Sequence, residues 1–235
     1  MADHHEFLNP LCLPQTLDYC VHRRAILQAL RTELPRFFGT VLDIGCGRMP
    51  YKSLVLAPPS RATKYIGLDL NNNIYQKPDL EWDGKTIPFT DDFIDCVMAT
   101  EVFEHCPQPQ AVMSEIHRVL KPNGFLFFTV PFLWPLHDVP HDEYRCTPFA
   151  LRRLLLSAGF EKIALQALGG WDASLAQMIG LWARRRPLSP AKRKLLSAVA
   201  TPVVRFLIRH DHLPTNFHES CMITGISGTA VKLFT

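Results

Sequence analysis

Two glycines and three aspartates in the first third of the chain have the types and the order that nucleoside binding requires. Asp43, Gly45 and Gly47 end one apolar segment, Asp69 ends a second, and Asp83 precedes a third. Glycines after a strand let the backbone approach a ligand closely, and a following helix start offers free N–H groups. A carboxylate at the end of the second strand can accept hydrogen bonds from both ribose hydroxyls. The order predicts a pocket for a cofactor that carries adenosine.

Two other kinds of nucleotide site match this segment less well. A dinucleotide fingerprint requires glycine at the sixth position counted from Gly45, and that position is Pro50. The turn also lacks the lysine of a Walker loop, which disfavours a site that cradles phosphates.

Strand-like and helix-like segments alternate along the chain, which predicts a doubly wound, mostly parallel seven-stranded sheet with helices on both faces. In such a sheet the ligand lies beyond the carboxyl ends of the strands, where the strand order reverses. The predicted strands are 40–44, 64–69, 80–82, 94–99, 125–130, 160–167 and 224–234. The predicted helical segments are 17–38, 51–57, 109–120, 147–159 and 171–210, and residues 71–73 are predicted to form a loop.

Four further segments carry a resemblance to a known family. Asp83–Phe89, Asp91–Asp95, Glu101–His105 and Glu115–Gly124 follow one another as successive signatures. In this order they resemble class I S-adenosylmethionine-dependent methyltransferases, the group that includes ubiquinone-type, natural-product and bacterial glycan methyltransferases. The resemblance covers residues 38–168 and implies a Rossmann-like methyltransferase fold, enzymatic activity and S-adenosylmethionine as the cofactor.

The resemblance also implies roles for individual residues. Asp43 and the two glycines would line the methionine end of the cofactor, Asp69 would hold the ribose, and Asp83 the adenine. One departure from the family is Arg48, where many members have a third glycine. The full set of predicted cofactor-binding residues is Asp43, Gly45, Gly47, Asp69, Leu70, Trp82, Asp83, Gly84, Thr100 and Glu101.

Three histidines are candidates for the acceptor side of a methyl transfer. When the acceptor is a hydroxyl, its proton must be removed, and histidine is suited to that role near neutral pH. His105 follows the fourth strand, and His137 and His141 follow the fifth. Two alternatives stay open. His105 is a packed loop residue, or the segment after the fifth strand is a polar lid in which Asp142 pairs with Arg145.

Metal, thiol and DNA chemistry are each disfavoured. Pro140 argues against a helix that would bring His137 and His141 to one face, so we predict no metal site. Cys106 precedes Pro107, whereas cytosine-5 methyltransferases present the order Pro-Cys. The Asn/Asp-Pro-Pro-Tyr signature of adenine-N6 enzymes is absent after the fourth strand. We therefore predict that the protein does not act on DNA.

The charge pattern singles out one segment. The net charge is only +3, which does not indicate general nucleic-acid binding. Residues 181–210, called the basic segment below, nevertheless contain eight Lys or Arg residues and no acid. Three interpretations stay open: a lid over the acceptor pocket, contact with an anionic membrane or a lipid-linked acceptor, and RNA binding.

Cysteine usage and the ends of the chain bear on localisation. Seven cysteines without CxxC spacing predict reduced thiols and a cytoplasmic protein. The polar segment 1–8 does not resemble a signal peptide, and no segment has the length and apolar character of a membrane span.

We predict four segments along the chain: a helical lead-in (1–39), the catalytic core (40–170), a basic helical cap (171–212) and a final strand region (213–235). The predicted activity is methylation of an oxygen or nitrogen of a small molecule or glycan. The alternatives are a methyltransferase that acts on RNA or protein through the basic segment, and a non-catalytic partner protein that kept the fold. The sequence carries no signal for an oligomeric state.

Overall fold

The computed structural model describes residues 5–71 and 76–234. The predicted segment 1–8 and the predicted loop 71–73 therefore lie partly outside the described residues.

The chain divides into two compact units. The sheet unit contains Leu30–Leu165 and Ser227–Thr235, and the helical unit contains Met1–Ala29 and Gln166–Ile226. The four segments predicted from the sequence stay a prediction about domain organisation.

Strands and helices alternate through most of the chain. The strands are β1 (Phe38–Ile44), β2 (Arg61–Leu70), β3 (Leu80–Trp82), β4 (Ile94–Thr100), β5 (Leu120–Pro131), β6 (Glu161–Ala167) and β7 (Gly225–Val231). The helices are α1 (His5–Leu8), α2 (Cys20–Glu33), α3 (Lys52–Val55), α4 (Pro109–Val119), α5 (Pro148–Ser157), α6 (Trp171–Arg185) and α7 (Pro190–His210). Short 3₁₀ turns occupy Leu34–Arg36 and Phe103–His105.

The seven strands form one sheet in the order β3-β2-β1-β4-β5-β7-β6. β1 pairs in parallel with both β2 and β4, so that Val41 lies opposite Tyr65 on one side and Cys96 on the other. The strand order reverses between β1 and β4, which is where ligands bind in doubly wound sheets. The predicted fold class is confirmed.

The central strands are buried because both of their faces are covered. In β4 the run from Cys96 to Ala99 is fully buried, as a parallel strand between two layers requires. Below β1, the ring of Phe37 meets the rings of Phe125 and Phe127 edge-on, with centroids 5.5 and 6.1 Å away. This apolar packing fixes the strands whose carboxyl ends carry the predicted site.

The entry into β1 requires a glycine. Gly39 has φ of 59°, and a Cβ at this position would collide with the carboxylate of Asp95. That carboxylate accepts hydrogen bonds from the backbone N–H of Thr40 and from Lys121 Nζ, both at 2.8 Å. Gly39 thereby leaves room for a carboxylate of β4 that is hydrogen-bonded to both neighbouring strands, β1 and β5.

Helix boundaries follow the local signals closely. Thr147 caps α5, because its hydroxyl oxygen accepts a hydrogen bond from the N–H of Ala150 at 3.3 Å.

The fifth strand is longer than predicted. It begins at Leu120, whereas the predicted strand begins at residue 125.

The helical unit has its own apolar core. Its buried cluster is Cys12, Leu17, Cys20, Val21, Ala173, Ala176, Ala183, Ala200 and Val204. Asp211 caps α6 by accepting hydrogen bonds from the N–H groups of Gly170 and Ala173, both at 2.9 Å. Arg185 Nε donates to Asp18 at 2.7 Å.

Cys12 and Cys20 form a disulfide, so the prediction of reduced thiols is wrong for these two residues. Their Cα atoms lie 5.2 Å apart, within the range that a disulfide spans. The intervening turn creates this proximity, which the linear spacing does not reveal. The other five cysteines, Cys46, Cys96, Cys106, Cys146 and Cys221, are free thiols.

Among the described residues, no helix has the length and apolar character needed to cross a bilayer.

Candidate functional site

The turn after β1 adopts a backbone shape that favours glycine. Gly45 and Gly47 have φ of 65° and 51°. A Cβ on Gly45 would lie 2.6 Å from Cγ2 of Val102, so the loop after β4 packs directly on the bare backbone. The N–H of Gly45 donates to the carbonyl of Leu68 at 2.8 Å, which ties the turn to the end of β2. The side chain of Arg48, the departure from the family pattern, is exposed.

Asp69 fixes the same turn from the end of β2. Its Oδ2 accepts a hydrogen bond from the N–H of Gly47 at 2.8 Å, and its Oδ1 accepts one from the N–H of Leu70, also at 2.8 Å. The thiol of Cys46 also donates to Oδ2, at 4.0 Å. The predicted nucleoside residues Gly47 and Asp69 are therefore in direct contact.

Asp43 is a buried acid at the carboxyl end of β1. Oδ2 accepts a hydrogen bond from the hydroxyl of Tyr65, while Oδ1 has no partner among the described residues. Burial raises the pKa of Asp43 to about 7; the Tyr65 hydrogen bond lowers this pKa and the charge of Asp69 raises it. A carboxylate with one buried, unpaired oxygen is suited to meet a cationic group.

Asp83 follows β3 in an exposed turn. Its Oδ1 accepts hydrogen bonds from the N–H groups of Lys85 and Thr86, both at 2.8 Å. These bonds lower the pKa of Asp83, so the carboxylate is ionised at neutral pH. Gly84 continues the turn with φ of 77°, and a Cβ on it would lie 3.3 Å from Cδ2 of Leu70. Trp82 is half-buried at the end of β3.

The loop after β4 contains two acids. Glu101, next to Thr100 at the end of β4, has φ of 57°, a strained backbone of the kind that is found at functional sites. Glu104 is only 1% exposed, and neither of its carboxylate oxygens has a hydrogen-bond partner among the described residues. Burial and the charge of Glu101 raise the pKa of Glu104 well above its usual range.

Two histidine rings lie against this buried acid. The rings of His105 and His137 have centroids 4.7 Å apart, and His105 Nε2 lies 3.7 Å from Glu104 Oε1. His105 Nδ1 lies 3.1 Å from the carbonyl oxygen of His141. The structure therefore brings together the imidazoles of His105 and His137, whereas His141 contributes a backbone carbonyl and its side chain is exposed.

Asp142 accepts a hydrogen bond from the backbone of His137, and Arg145 in turn holds the carboxylate of Asp142. Asp142 Oδ2 lies 3.2 Å from His137 Nδ1 and accepts the backbone N–H of His137 at 3.1 Å. Arg145 donates to both oxygens of Asp142, at 2.6 and 2.8 Å. This fork lowers the pKa of Asp142 to about 2. Burial and the neighbouring His105 lower the pKa of His137, so its imidazole is neutral at pH 7.

Arg145 also holds the backbone of the loop that follows β5. Its guanidinium donates to the carbonyl oxygens of Tyr144 at 2.8 Å, Pro135 at 3.4 Å and Trp134 at 3.5 Å. The internal pairing of Asp142 with Arg145, weighed above as an alternative to catalysis, therefore exists together with the His137 contact.

Glu104, His105 and His137 offer one ligand atom each, and these atoms lie within 4.8 Å of one another. Two imidazoles and a carboxylate form a donor set that divalent transition metals accept. The prediction of no metal therefore stays a prediction. Glu104 and Tyr65 are site residues that were not predicted from the sequence. Glu104 stands directly before the candidate His105, which was a usable signal, whereas no sequence signal pointed to Tyr65.

Comparison with known proteins finds similarity to methyltransferases. Residues 42–128 match the sequence model of a methyltransferase domain. The chain is 32% identical over 113 residues to a fatty-acid O-methyltransferase of Mycolicibacterium smegmatis, covering 44% of this chain and 40% of that protein. It is 33% identical over 128 residues to phthiotriol/phenolphthiotriol dimycocerosates methyltransferase 1 of Mycobacterium ulcerans, covering 48% of this chain and 45% of that protein.

The chain thus spans less than half the length of these two curated relatives. The fold is shared more widely. A solved S-adenosylmethionine-dependent methyltransferase of Thermotoga maritima superposes with a TM-score of 0.58 at 15% identity, covering 91% of this chain and 92% of that one. At this identity the likeness concerns the fold alone.

Proposed function

We propose that this chain, which contains a class I S-adenosylmethionine-dependent methyltransferase domain, transfers a methyl group to an oxygen or nitrogen of a small molecule or glycan. The observation that carries the proposal is the arrangement of His137, Asp142 and Arg145 after β5. This proton-accepting group follows a strand whose carboxyl end shares a sheet edge with the glycine turn after β1.

The residues at the carboxyl edge fit the chemistry of S-adenosylmethionine. Gly45 and Gly47 give the turn after β1 the positive-φ backbone that lets main-chain atoms approach a ligand closely. Asp69 lies against the glycine turn, where we propose that its carboxylate accepts from the ribose hydroxyls. The buried Oδ1 of Asp43, which has no hydrogen-bond partner among the described residues, suits the ammonium of the methionine part. We propose that Asp83 accepts from the adenine amine, with Leu70, Trp82, Gly84, Thr100 and Glu101 lining the same site.

S-adenosylmethionine supplies a methyl group that its positive sulfonium already activates. The chain must therefore position the acceptor and, for a hydroxyl, remove its proton. Nδ1 of His137 makes no hydrogen bond among the described residues, but the negative charge of Asp142, whose Oδ2 lies 3.2 Å away, favours the tautomer that carries the proton on Nδ1. That tautomer leaves Nε2 to accept the acceptor proton. The lowered pKa of His137 keeps this nitrogen available at neutral pH.

A panel of acceptors tests the proposal. The purified chain is incubated with S-adenosylmethionine that carries a deuterated methyl group and, in separate reactions, with fatty acids, sterols, small phenols and amines, and glycans. We expect mass spectrometry to detect the labelled methyl on an oxygen or nitrogen of one class. Labelling of added RNA or protein instead would support the macromolecular alternative. Tight cofactor binding without any labelled product would support the non-catalytic one.

The titration of Asp43 leads to a prediction about cofactor affinity. Because its pKa is raised to about 7, the side chain is mostly protonated at pH 6 and mostly ionised at pH 8. An ammonium prefers the ionised form, so we expect the affinity for S-adenosylhomocysteine to rise about tenfold over this range.

Calorimetric titration at several pH values measures this effect. Asp43→Asn should bind more weakly and lose the pH dependence. Tyr65→Phe should move the midpoint to higher pH, because the Tyr65 hydrogen bond lowers the pKa of Asp43. A pH dependence that survives in Asp43→Asn would assign the titration to another group.

A further inference from the structure

Helix α6 carries a stripe of large apolar side chains on its outward face. Trp171, Leu175, Met178 and Trp182 are 65%, 52%, 48% and 48% exposed. Their spacing of four, three and four residues places them on one side of the helix. The buried residues of α6 lie on the other side and are mostly small: Ala173, Ser174, Ala176, Gln177, Gly180, Leu181 and Ala183.

Helix α7, in the same helical unit, repeats this pattern. Leu195, Val199, Val203 and Phe206 are 65%, 63%, 46% and 60% exposed, again at helical spacing. Its buried residues are Ser197, Ala200, Thr201 and Val204. Ile179, Leu196, Leu207 and Ile208 pack against the buried cluster of the helical unit. Both helices therefore carry a second, exposed row of large apolar side chains in addition to the face that packs inward.

The charges between Leu181 and His210 are all positive, while the acids Asp172 and Asp211 lie at the far ends of the two helices. Arg184–Arg186 end α6 and Lys192–Lys194 begin α7, and residues 181–210 contain no acid. The carboxylate of Asp18 lies 3.6 Å from Nε of Arg184 and 2.7 Å from Nε of Arg185. One carboxylate offsets one of the eight positive charges, so the basic segment keeps a net positive charge. The guanidinium of Arg186 stacks over the ring of Trp182 at 4.0 Å, so a cation lies directly on the apolar stripe.

We propose that the outward faces of α6 and α7, together with the basic segment, dock on an anionic membrane surface. Apolar stripes with tryptophan and flanking Lys and Arg side chains are the features with which a helix lies in the headgroup region. Clustered cations add attraction to acidic lipid headgroups, and the absence of acids in the segment removes repulsion. The positive charges suit either acidic lipid or RNA. Acidic lipid is favoured as the occupant, because RNA does not account for the eight exposed apolar side chains.

Co-sedimentation of the full chain with vesicles tests this proposal. The vesicles are phosphatidylcholine alone and phosphatidylcholine mixed with phosphatidylglycerol. We expect binding to the acidic vesicles, weakening as salt is raised, and little binding to phosphatidylcholine alone. Equal binding to both, or binding to neither, would overturn the proposal.

Two variants with matched controls separate the apolar and the charged contributions. Val199→Asp with Phe206→Asp should abolish vesicle binding, whereas Phe149→Asp with Leu156→Asp, equally exposed on α5, should not. Lys192→Gln with Lys194→Gln should weaken binding about thirtyfold. The matched control for the charge variant is Lys64→Gln with Arg153→Gln, which removes two exposed cations elsewhere.

The mass of the protein in solution shows whether the apolar face is occupied by a second copy of the chain instead of a membrane. All four variants change exposed residues, so circular dichroism should show an unchanged fold. If the wild type is a dimer, Val199→Asp with Phe206→Asp is monomeric, and neither binds vesicles, the face is a contact between two copies and the membrane proposal is wrong.

Discussion

Replacing His137 with glutamine is expected to lower kcat by about 10²- to 10⁴-fold, the usual contribution of a positioned general base. Glutamine keeps a polar side chain beside Asp142 but cannot accept the acceptor proton. The measurement is steady-state release of S-adenosylhomocysteine with an acceptor that supports turnover by the wild type. KM for S-adenosylmethionine should change little, because His137 lies in the loop after β5 and not at the glycine turn.

His141→Gln is the matched control for this prediction. His141 lies in the same loop, yet its imidazole is exposed and only its carbonyl oxygen meets His105. We expect its kcat to stay close to that of the wild type. The kcat of Asp142→Asn should be lowered like that of His137→Gln, because the substitution removes the charge that favours the productive tautomer of His137. Equal losses in His137→Gln and His141→Gln would argue against a base at His137.

A chelator separates proton transfer from metal binding at the same residues. If His137 is a base, treatment with EDTA should leave kcat unchanged. If EDTA abolishes activity and a divalent cation restores it, then Glu104, His105 and His137 act as ligands, as their donor atoms within 4.8 Å allow.

Asp69→Ala is expected to weaken binding of S-adenosylhomocysteine by about 1.5–3 kcal/mol, which is about 10- to 150-fold in Kd. The substitution removes the acceptor for the ribose hydroxyls. It also removes the acceptor for the N–H groups of Gly47 and Leu70, which hold the turn after β1. Calorimetric titration gives Kd, and thermal unfolding confirms that the variant is folded.

Glu81→Ala is the control for the Asp69 substitution. Glu81 lies opposite Asp69 in the register of β2 and β3, and its side chain is exposed. We expect its Kd to match that of the wild type. An unchanged Kd in a folded Asp69→Ala variant would contradict the assignment of Asp69 to the ribose.

The fold could be predicted from the sequence because its signals are local. Buried parallel strands read as continuous apolar runs, and a proline or glycine marks most helix ends. The glycine turn and the acid at the end of β2 could be placed together for the same reason, since adjacent parallel strands end at one edge. Thr147 and Pro148 likewise predict the start of α5, since a hydroxyl cap followed by proline is a local signal for a helix start.

The remaining features depend on contacts that the chain makes only when folded. The Tyr65 hydrogen bond to Asp43 joins two strands, and nothing in either strand alone indicates it. The Cys12–Cys20 disulfide depends on a turn whose sequence has no recognised pairing pattern. For α6 and α7, the sequence predicted helices but not which apolar side chains pack inward and which stay exposed, because that depends on the contact between the two helices.

Arg145 holds the loop after β5 from within, through Asp142 and three backbone carbonyls. Leu136 and Val139 lie outside this set of contacts and are 78% and 72% exposed. With His137 as the proposed base, we expect acceptor preference to depend on these two exposed residues and proton transfer on the residues that Arg145 holds. Sequence drift at the exposed positions can retarget the protein to new acceptors while the base stays in place, so relatives with different acceptors are expected to diverge first at those two positions.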